Sequence, residues 1–276
     1  MIATLNDILP AARKGGYGVG LFNTTDTDML DAVIEAAEAE RAPVIIGTAE
    51  ILLPYGELKL IAPAMVAAAK RASVPVVVHY DHGLTFDRCM EALRLGFSSI
   101  MFDGSLNSPE ENLAATREVV KIAHSFGVTV EGEIGHVGNA DAKGDADRYT
   151  TVAEAREFTE ATGVDALAIA IGTAHGAYKT APKLDFARLR DIRAAIDTPL
   201  VLHGGSGLTD NDFTSCVRDG ISKVNIFTDL CLAGCRAMQA GLDAGEDYLT
   251  IRNRKRDEIR REVITKMRLF GCSGKA

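Results

Sequence analysis

A chain of 276 residues that is 47% hydrophobic, with a mean hydropathy of +0.06, has enough apolar material for a sizeable core. Its net charge of −8, carried without any basic block, argues against a nucleic-acid surface, and no apolar run approaches the ~20 residues of a membrane span. Five scattered cysteines (Cys89, Cys216, Cys231, Cys235 and Cys272) and a start, MIATLNDILPAARKGG, without an apolar targeting run point to reduced thiols in a cytoplasmic protein. The four-residue spacing of Cys231 and Cys235 reads as helix packing.

Short apolar runs alternate with longer amphipathic ones from end to end. Strands are predicted over 17–23, 43–48, 75–81, 98–103, 127–135, 164–172, 199–204 and 222–228. Helical patterns lie between them, among them 27–40, 109–126 and 185–196. Cap signals stand at Thr27, at Pro109 and at Thr209 through Asp212. The polar stretch 136–149 is the one long insertion, placed as a lid would be. A charged helix over 251–271 closes the chain, packed on the barrel or on a second subunit.

Mostly apolar strands bury both faces, as in a parallel sheet covered by helices. Eight such units in one domain over 1–276 predict an α/β fold, a (β/α)8 TIM barrel with an additional C-terminal helix. The competing open, doubly wound sheet would carry a glycine fingerprint after its first strand, and GLFNTTD (20–26) has none.

Barrels place their chemistry at the C-terminal ends of the strands. Read in order, those ends are Asn23, Thr48, Asp81 with His82, Asp103, Glu133, His175, His203 and Asn225. His82, His175 and His203 are each followed by glycine. A single strand-end histidine is more often a hydrogen-bonded structural residue, but three converging imidazoles suit a catalytic zinc ion with one open position. His79 shares a strand face with Asp81 and reads as its support. His124, on a helix, reads as structural, and His136 opens the polar insertion. HGGSG (203–207) and NIFTD (225–229) each lead into a helix. With Lys179 nearby, they favour a bound phosphate over plain turns.

The set HYDHG (79–83), EGEIG (131–135), GTAHGAYK (172–179), LHGGSG (202–207), KVNIFTD (223–229) and RLFGCSGKA (268–276) resembles the class II, metal-dependent ketose-bisphosphate aldolases, over essentially the whole chain. That family includes fructose- and tagatose-bisphosphate aldolases. The resemblance implies reversible cleavage of a ketose phosphate to dihydroxyacetone phosphate and an aldehyde. It assigns His82, His175 and His203 to zinc and Asp81 to the proton of the C4 hydroxyl. It places Gly176, Gly204, Gly205, Ser206, Asn225 and Thr228 on dihydroxyacetone phosphate, Lys179 near its phosphate, and Asn23 near the substrate. Asp103 and Glu133 match a second or alternate divalent site, and a monovalent cation and a homo-oligomer, dimer or tetramer, are also implied.

The chemistry agrees, because cleavage leaves an enediolate whose charge a Lewis acid can stabilise. The other aldolase route, a lysine Schiff base, needs a desolvated lysine in the barrel mouth. No predicted strand ends in lysine, and Lys223 stands at the start of the last one. Two positions depart from the family. Ala49 replaces a common serine or threonine, and GNADAKGD (138–145) replaces the usual Gly-Gly-Gln/Glu-Glu-Asp loop, with Asp141 nearest to its acid. These departures keep open a non-standard ketose 1-phosphate as substrate, or a non-catalytic sugar-phosphate-binding barrel. A metal-dependent hydrolase would carry a His-x-His pair on the first strand, and YGVGLFN (17–23) has none.

Overall fold

Eight of the apolar runs pair side by side, all parallel, and close into a ring. The computed structural model describes residues 1–135, 137, 149–174, 176 and 182–276. The first half comprises β1 (Ile2–Ala3), α1 (Leu5–Gly15), β2 (Val19–Asn23), α2 (Thr27–Glu40), β3 (Val44–Ala49), α3 (Leu58–Arg71), β4 (Val76–Gly83), α4 (Phe86–Arg94), β5 (Ser99–Phe102) and α5 (Pro109–Ser125). The second comprises β6 (Thr129–Ile134), α6 (Val152–Thr162), β7 (Ala166–Ile169), α7 (Phe186–Ala195), β8 (Leu200–Leu202), α8 (Asp210–Asp219), β9 (Ile221–Ile226), α9 (Thr228–Asp243) and α10 (Tyr248–Phe270). Strands β2 to β9 form the barrel, and the β4–β5 pairing closes it. The two residues of β1 only extend the lower end of β4, where Ile2 pairs with Val76.

Seven of the barrel strands are buried at every residue, and the eighth, β4, exposes only part of His82. Outward-facing side chains meet the helices, and inward-facing ones fill the barrel, so an apolar run serves both faces. The helices begin where side chains satisfy their first N–H groups. Thr209 and Asp212 form a capping box, and Ser108 caps α5 ahead of Pro109. At α2 the cap is Asp26, whose carboxylate accepts from Met29 N at 2.8 Å. Thr27, read as the cap from sequence, is instead the first helical residue, because the carboxylate one position earlier already satisfies that N–H.

All five cysteines are free. Cys231 is half-buried and Cys235 exposed, so packing accounts for the first of that pair alone. Among the described residues, no helix is long and apolar enough to cross a membrane.

Helix α10 begins three residues earlier than the sequence pattern suggests and lies against α9 and α2. It buries Ile259, Val263, Met267 and Phe270, and it is pinned by charge along its other face. Arg252 pairs with Asp28 at 2.6 Å, Lys255 with Asp26 at 3.0 Å, and Arg268 with Glu40 at 2.7 Å. Ser273 also donates to Glu40 at 2.7 Å, and Ala276 N donates to Arg41 O at 2.9 Å. The hydrogen bonds from Arg252 hold the Asp28 carboxyl below its ordinary range, and those from Arg268 and Ser273 do the same for Glu40.

Depressed carboxylate pKa values stabilise the fold above the unfolded value, and the stabilisation is lost as pH falls through the ordinary range. Thermal melts are therefore expected to fall as pH is lowered through about 4. Glu40→Gln should start lower at neutral pH and show a smaller acid-induced fall, and equal pH dependence in both proteins would remove Glu40 from this role.

Candidate active site

The site begins with a break in a strand. Alternation along β4 sends His79 and Asp81 into the barrel and should send His82 outward. It does not, because the pairing with β5 jumps from Tyr80 opposite Ile100 to Gly83 opposite Phe102. His82 takes up the irregularity with a φ of 44°, in the left-handed region. Such backbone costs of order 1–3 kcal/mol in a non-glycine residue, and bulges of this kind re-aim side chains beside active sites. Gly83 permits it, since a Cβ there would stand 2.6 Å from Cys89 Sγ and 2.7 Å from Met101 O.

The re-aimed imidazole of His82 meets that of His203, at the end of β8. His82 Nε2 and His203 Nδ1 are 2.8 Å apart. Behind them, His82 Nδ1 lies 2.7 Å from Asp103 Oδ2, and His203 Nε2 lies 2.8 Å from Glu131 Oε1. An ionised carboxylate only accepts, so each rear nitrogen carries the hydrogen. The two front nitrogens then face each other, where a cation between them would bridge both lone pairs, and His203 Nδ1 also lies 3.3 Å from Asn225 Nδ2. Either a proton or a metal ion can fill that bridging role. Burial alone would lower the pKa of His82, but Asp81, Asp103 and Glu133 push it up to about 10. Burial and then the neighbouring His82 lower that of His203. The donor set also fits a metal ion, because a carboxylate behind each imidazole is the usual way of orienting a histidine ligand.

Asp81, at the front of this pair, is buried and held from two sides. It accepts from Asn23 Nδ2 at 2.8 Å and from Asn225 Nδ2 at 3.0 Å. Burial alone would raise its pKa, but the positive fields of His82, Lys223 and His203 hold it well below the usual carboxylate range. His79, fully buried, touches Ser99 Oγ through Nδ1 at 2.8 Å. Burial, and then Lys223, lower its pKa to about 3, so it stays neutral beneath the site. Glu133 lies opposite Asp103, and burial and then that neighbouring charge raise its pKa to about 8. His82, Asp103 and Glu133 bring one ligand atom each within 4.8 Å of one another, as do Asp81, His82 and His203. The structure thus supplies two overlapping donor groups that share His82.

Lys223, near the start of the last strand as its third residue, is fully buried in the barrel. Its Nζ lies 2.7 Å from Glu131 Oε2 and donates to Asn225 Oδ1 at 2.8 Å. A desolvated lysine is therefore present, but its ammonium is committed to a carboxylate and an amide. Glu131 and Lys223 lie below the strand ends that mark the other site residues. Two-residue alternation, from Glu133 back to Glu131 and from Asn225 back to Lys223, would have found both.

The glycine-rich loops form the opposite wall. Gly204 has a φ of 65°, and a Cβ there would run into the carbonyl of Ala174. Ser206 Oγ accepts from Phe227 N at 3.2 Å and from Asp229 N at 3.4 Å, tying the loop after β8 to the first turn of α9. A cleft of about 380 Å³ brings Gly176, Gly204, Gly205, Ser206, Asn225 and Thr228 together with Asn23, Asp81, His82 and Asp103. His203 and Glu133 lie just beneath. His136, Asp141, His175 and Lys179 fall outside the described residues. His124 is remote, 2.8 Å from Asp165 on the helical layer.

A parallel barrel with buried imidazoles, carboxylates and glycine loops at the C-terminal ends of its strands is the framework of a barrel enzyme. The chain belongs to the class II fructose-bisphosphate aldolase family, whose profile, described as Fructose-bisphosphate aldolase class-II, matches residues 3–275. It is 38% identical over 284 residues to a protein of Bacillus subtilis named probable fructose-bisphosphate aldolase, covering 100% of this chain and 99% of the relative. The crystal structure of the YdjI aldolase from Escherichia coli K12 superposes with a TM-score of 0.91 at 35% identity, covering 100% of both chains. A putative fructose-1,6-bisphosphate aldolase structure from Coccidioides immitis gives 0.89 at 31% identity, covering 98% of this chain and 96% of that one.

Removing one partner of a buried ion pair strands the other. Lys223→Met is thus expected to lower unfolding stability by about 3 kcal/mol in urea titrations, and adding Glu131→Gln should restore part of the loss. A single variant as stable as the parent would show that the pair does not hold this wall.

Proposed function

We propose that the chain is a zinc-dependent class II aldolase that reversibly cleaves a ketose 1-phosphate, such as fructose or tagatose 1,6-bisphosphate or a related sugar, to dihydroxyacetone phosphate and an aldehyde. The observation that carries this reading is the opposed pair of imidazole nitrogens of His82 and His203, 2.8 Å apart, beside an ionised carboxylate held by two amides. His82 and His203, with His175, would hold the zinc, and Asp103 and Glu133 could take a second or alternate divalent ion. When bound, the metal supplies Lewis-acid stabilisation of the enediolate charge.

The chain's own groups account for the proton. In cleavage, Asp81 takes the proton of the C4 hydroxyl. The C3–C4 bond breaks, C4 becomes the aldehyde carbonyl, and the bonding pair remains on the dihydroxyacetone phosphate fragment, which is then protonated at C3. Asn23 and Asn225 fix the carboxylate so that it need not reorganise during transfer. Gly176, Gly204, Gly205 and Ser206, with Thr228 at the N-terminus of α9, offer backbone N–H groups and a helix dipole to the phosphate, joined by Lys179. Asp141 would serve the C3 proton. A monovalent cation, a cytoplasmic location and a homo-oligomeric state belong to the same reading. A non-catalytic sugar-phosphate-binding barrel would need neither the buried Asp81 nor the opposed imidazoles.

Asp81→Asn preserves shape and removes the base. It is expected to keep its zinc and its affinity for dihydroxyacetone phosphate while kcat for cleavage falls roughly 10²–10⁴-fold. Zinc content by emission spectrometry beside a coupled assay separates the cases. Loss of zinc would make Asp81 a structural support, and undiminished kcat would remove it from proton transfer.

A further inference from the structure

The cleft has two unlike walls. The phosphate side is made of glycines and polar groups, and the other side is aliphatic. Ala49 ends β3, Ile51 and Leu52 come from the segment that follows it, Leu84 from the loop after β4, and Leu106 from the loop after β5. Ala49 and Leu52 are buried, but Ile51, Leu84 and Leu106 are 76%, 52% and 77% exposed. Three exposed aliphatic side chains from three successive loops thus ring the mouth on the side of Asp81 and His82. Scattered surface leucines need no explanation, whereas apolar side chains gathered around a catalytic cleft define a surface that gains by being covered.

The loops are held in register. Glu50 Oε2 accepts from Leu84 N at 2.9 Å and from Tyr80 Oη at 3.3 Å, so one carboxylate binds the segment after β3 to the loop after β4. Two of the three rim segments are therefore tied to each other. Among the described residues lining the cleft there is no lysine or arginine, and the charged groups are Asp81, Asp103 and, when protonated, His82. With Glu50 behind the rim, an anionic group at this end of a substrate would face carboxylates on one side and aliphatic carbon on the other. None of the described lining residues at this end would offer it a countercharge.

We infer that the aldehyde half of the substrate is uncharged and ends in an apolar group, such as a terminal methyl or short alkyl chain, which Ile51, Leu84 and Leu106 cover. The inference rests on the aldolase reading and narrows it to the related sugars, setting aside the two bisphosphates. The preferred ketose is a 1-phosphate lacking a second phosphate or carboxylate. In the condensation direction, C3 of dihydroxyacetone phosphate loses a proton and bonds to the aldehyde carbon, and the former carbonyl oxygen is protonated to the C4 hydroxyl. The tail beyond that carbon lies against the aliphatic wall.

The test is condensation by the zinc-loaded enzyme of dihydroxyacetone phosphate with lactaldehyde, butanal, glyceraldehyde, succinic semialdehyde and glyceraldehyde 3-phosphate. Lactaldehyde or butanal should exceed the two anionic aldehydes in kcat/KM by roughly 10-fold or more. Leu106→Lys, a change at an exposed side chain, should narrow or reverse that ratio by favouring glyceraldehyde 3-phosphate. Equal rates, or preference for either anionic aldehyde by the parent enzyme, overturn the inference while leaving the aldolase reading intact. Failure to condense any aldehyde overturns the aldolase reading, and the inference with it.

Discussion

Two imidazole nitrogens that face each other across 2.8 Å, each with a carboxylate locked behind its ring, are the constraint around which this barrel is arranged. Lone pairs so placed repel unless a positive charge lies between them. The left-handed backbone of His82 is needed to bring the first ring there. Asp103 and Glu131 are needed to decide which nitrogen of each ring points forward. Turning either ring would break its hydrogen bond to the carboxylate behind it, so orientation is enforced from behind.

That arrangement concentrates charge in the barrel. Asp81, Asp103, Glu131 and Glu133 are carboxylates within or just above the core, and Lys223 is the buried ammonium that faces them. Burying this many like charges works against folding. The interior responds in several ways: Lys223 neutralises Glu131, His82 hydrogen-bonds Asp103, and burial and the neighbouring Asp103 push the pKa of Glu133 up to about 8. A bound cation would relieve the same excess. The polar cluster is thus a costly way to fill a barrel, because well-packed apolar residues would do so at lower cost.

Much of the fold could be read in the sequence because a strand buried on both faces is a nearly continuous apolar run, and eight of them separated by amphipathic helices admit few closed arrangements. The cap signals at Pro109 and Thr209 were equally legible, the second because its partner Asp212 stands three residues on. The site was legible at strand ends, where Asp81, His82, His203 and Asn225 do converge. It was less so where backbone geometry intervenes. Alternation predicts an outward His82, and only the irregular pairing opposite Phe102 explains why it points in. The buried half, Glu131 and Lys223, lies one step of alternation below the strand ends, where a search for solvent-facing chemistry does not look.

The two walls of the cleft divide the substrate along the same line as the proposed reaction, with the phosphate-bearing fragment on glycines and the aldehyde on aliphatic side chains. Between them sit Asp81 and the imidazole pair, so bond cleavage would occur where the lining changes character. The most direct measurement is proton exchange at C3 of dihydroxyacetone phosphate in D2O, followed by NMR on zinc-loaded and chelated protein. The account predicts stereospecific loss of one proton that stops on chelation and returns with zinc. Exchange that persists after chelation, with borohydride fixing the substrate to Lys223, would contradict it.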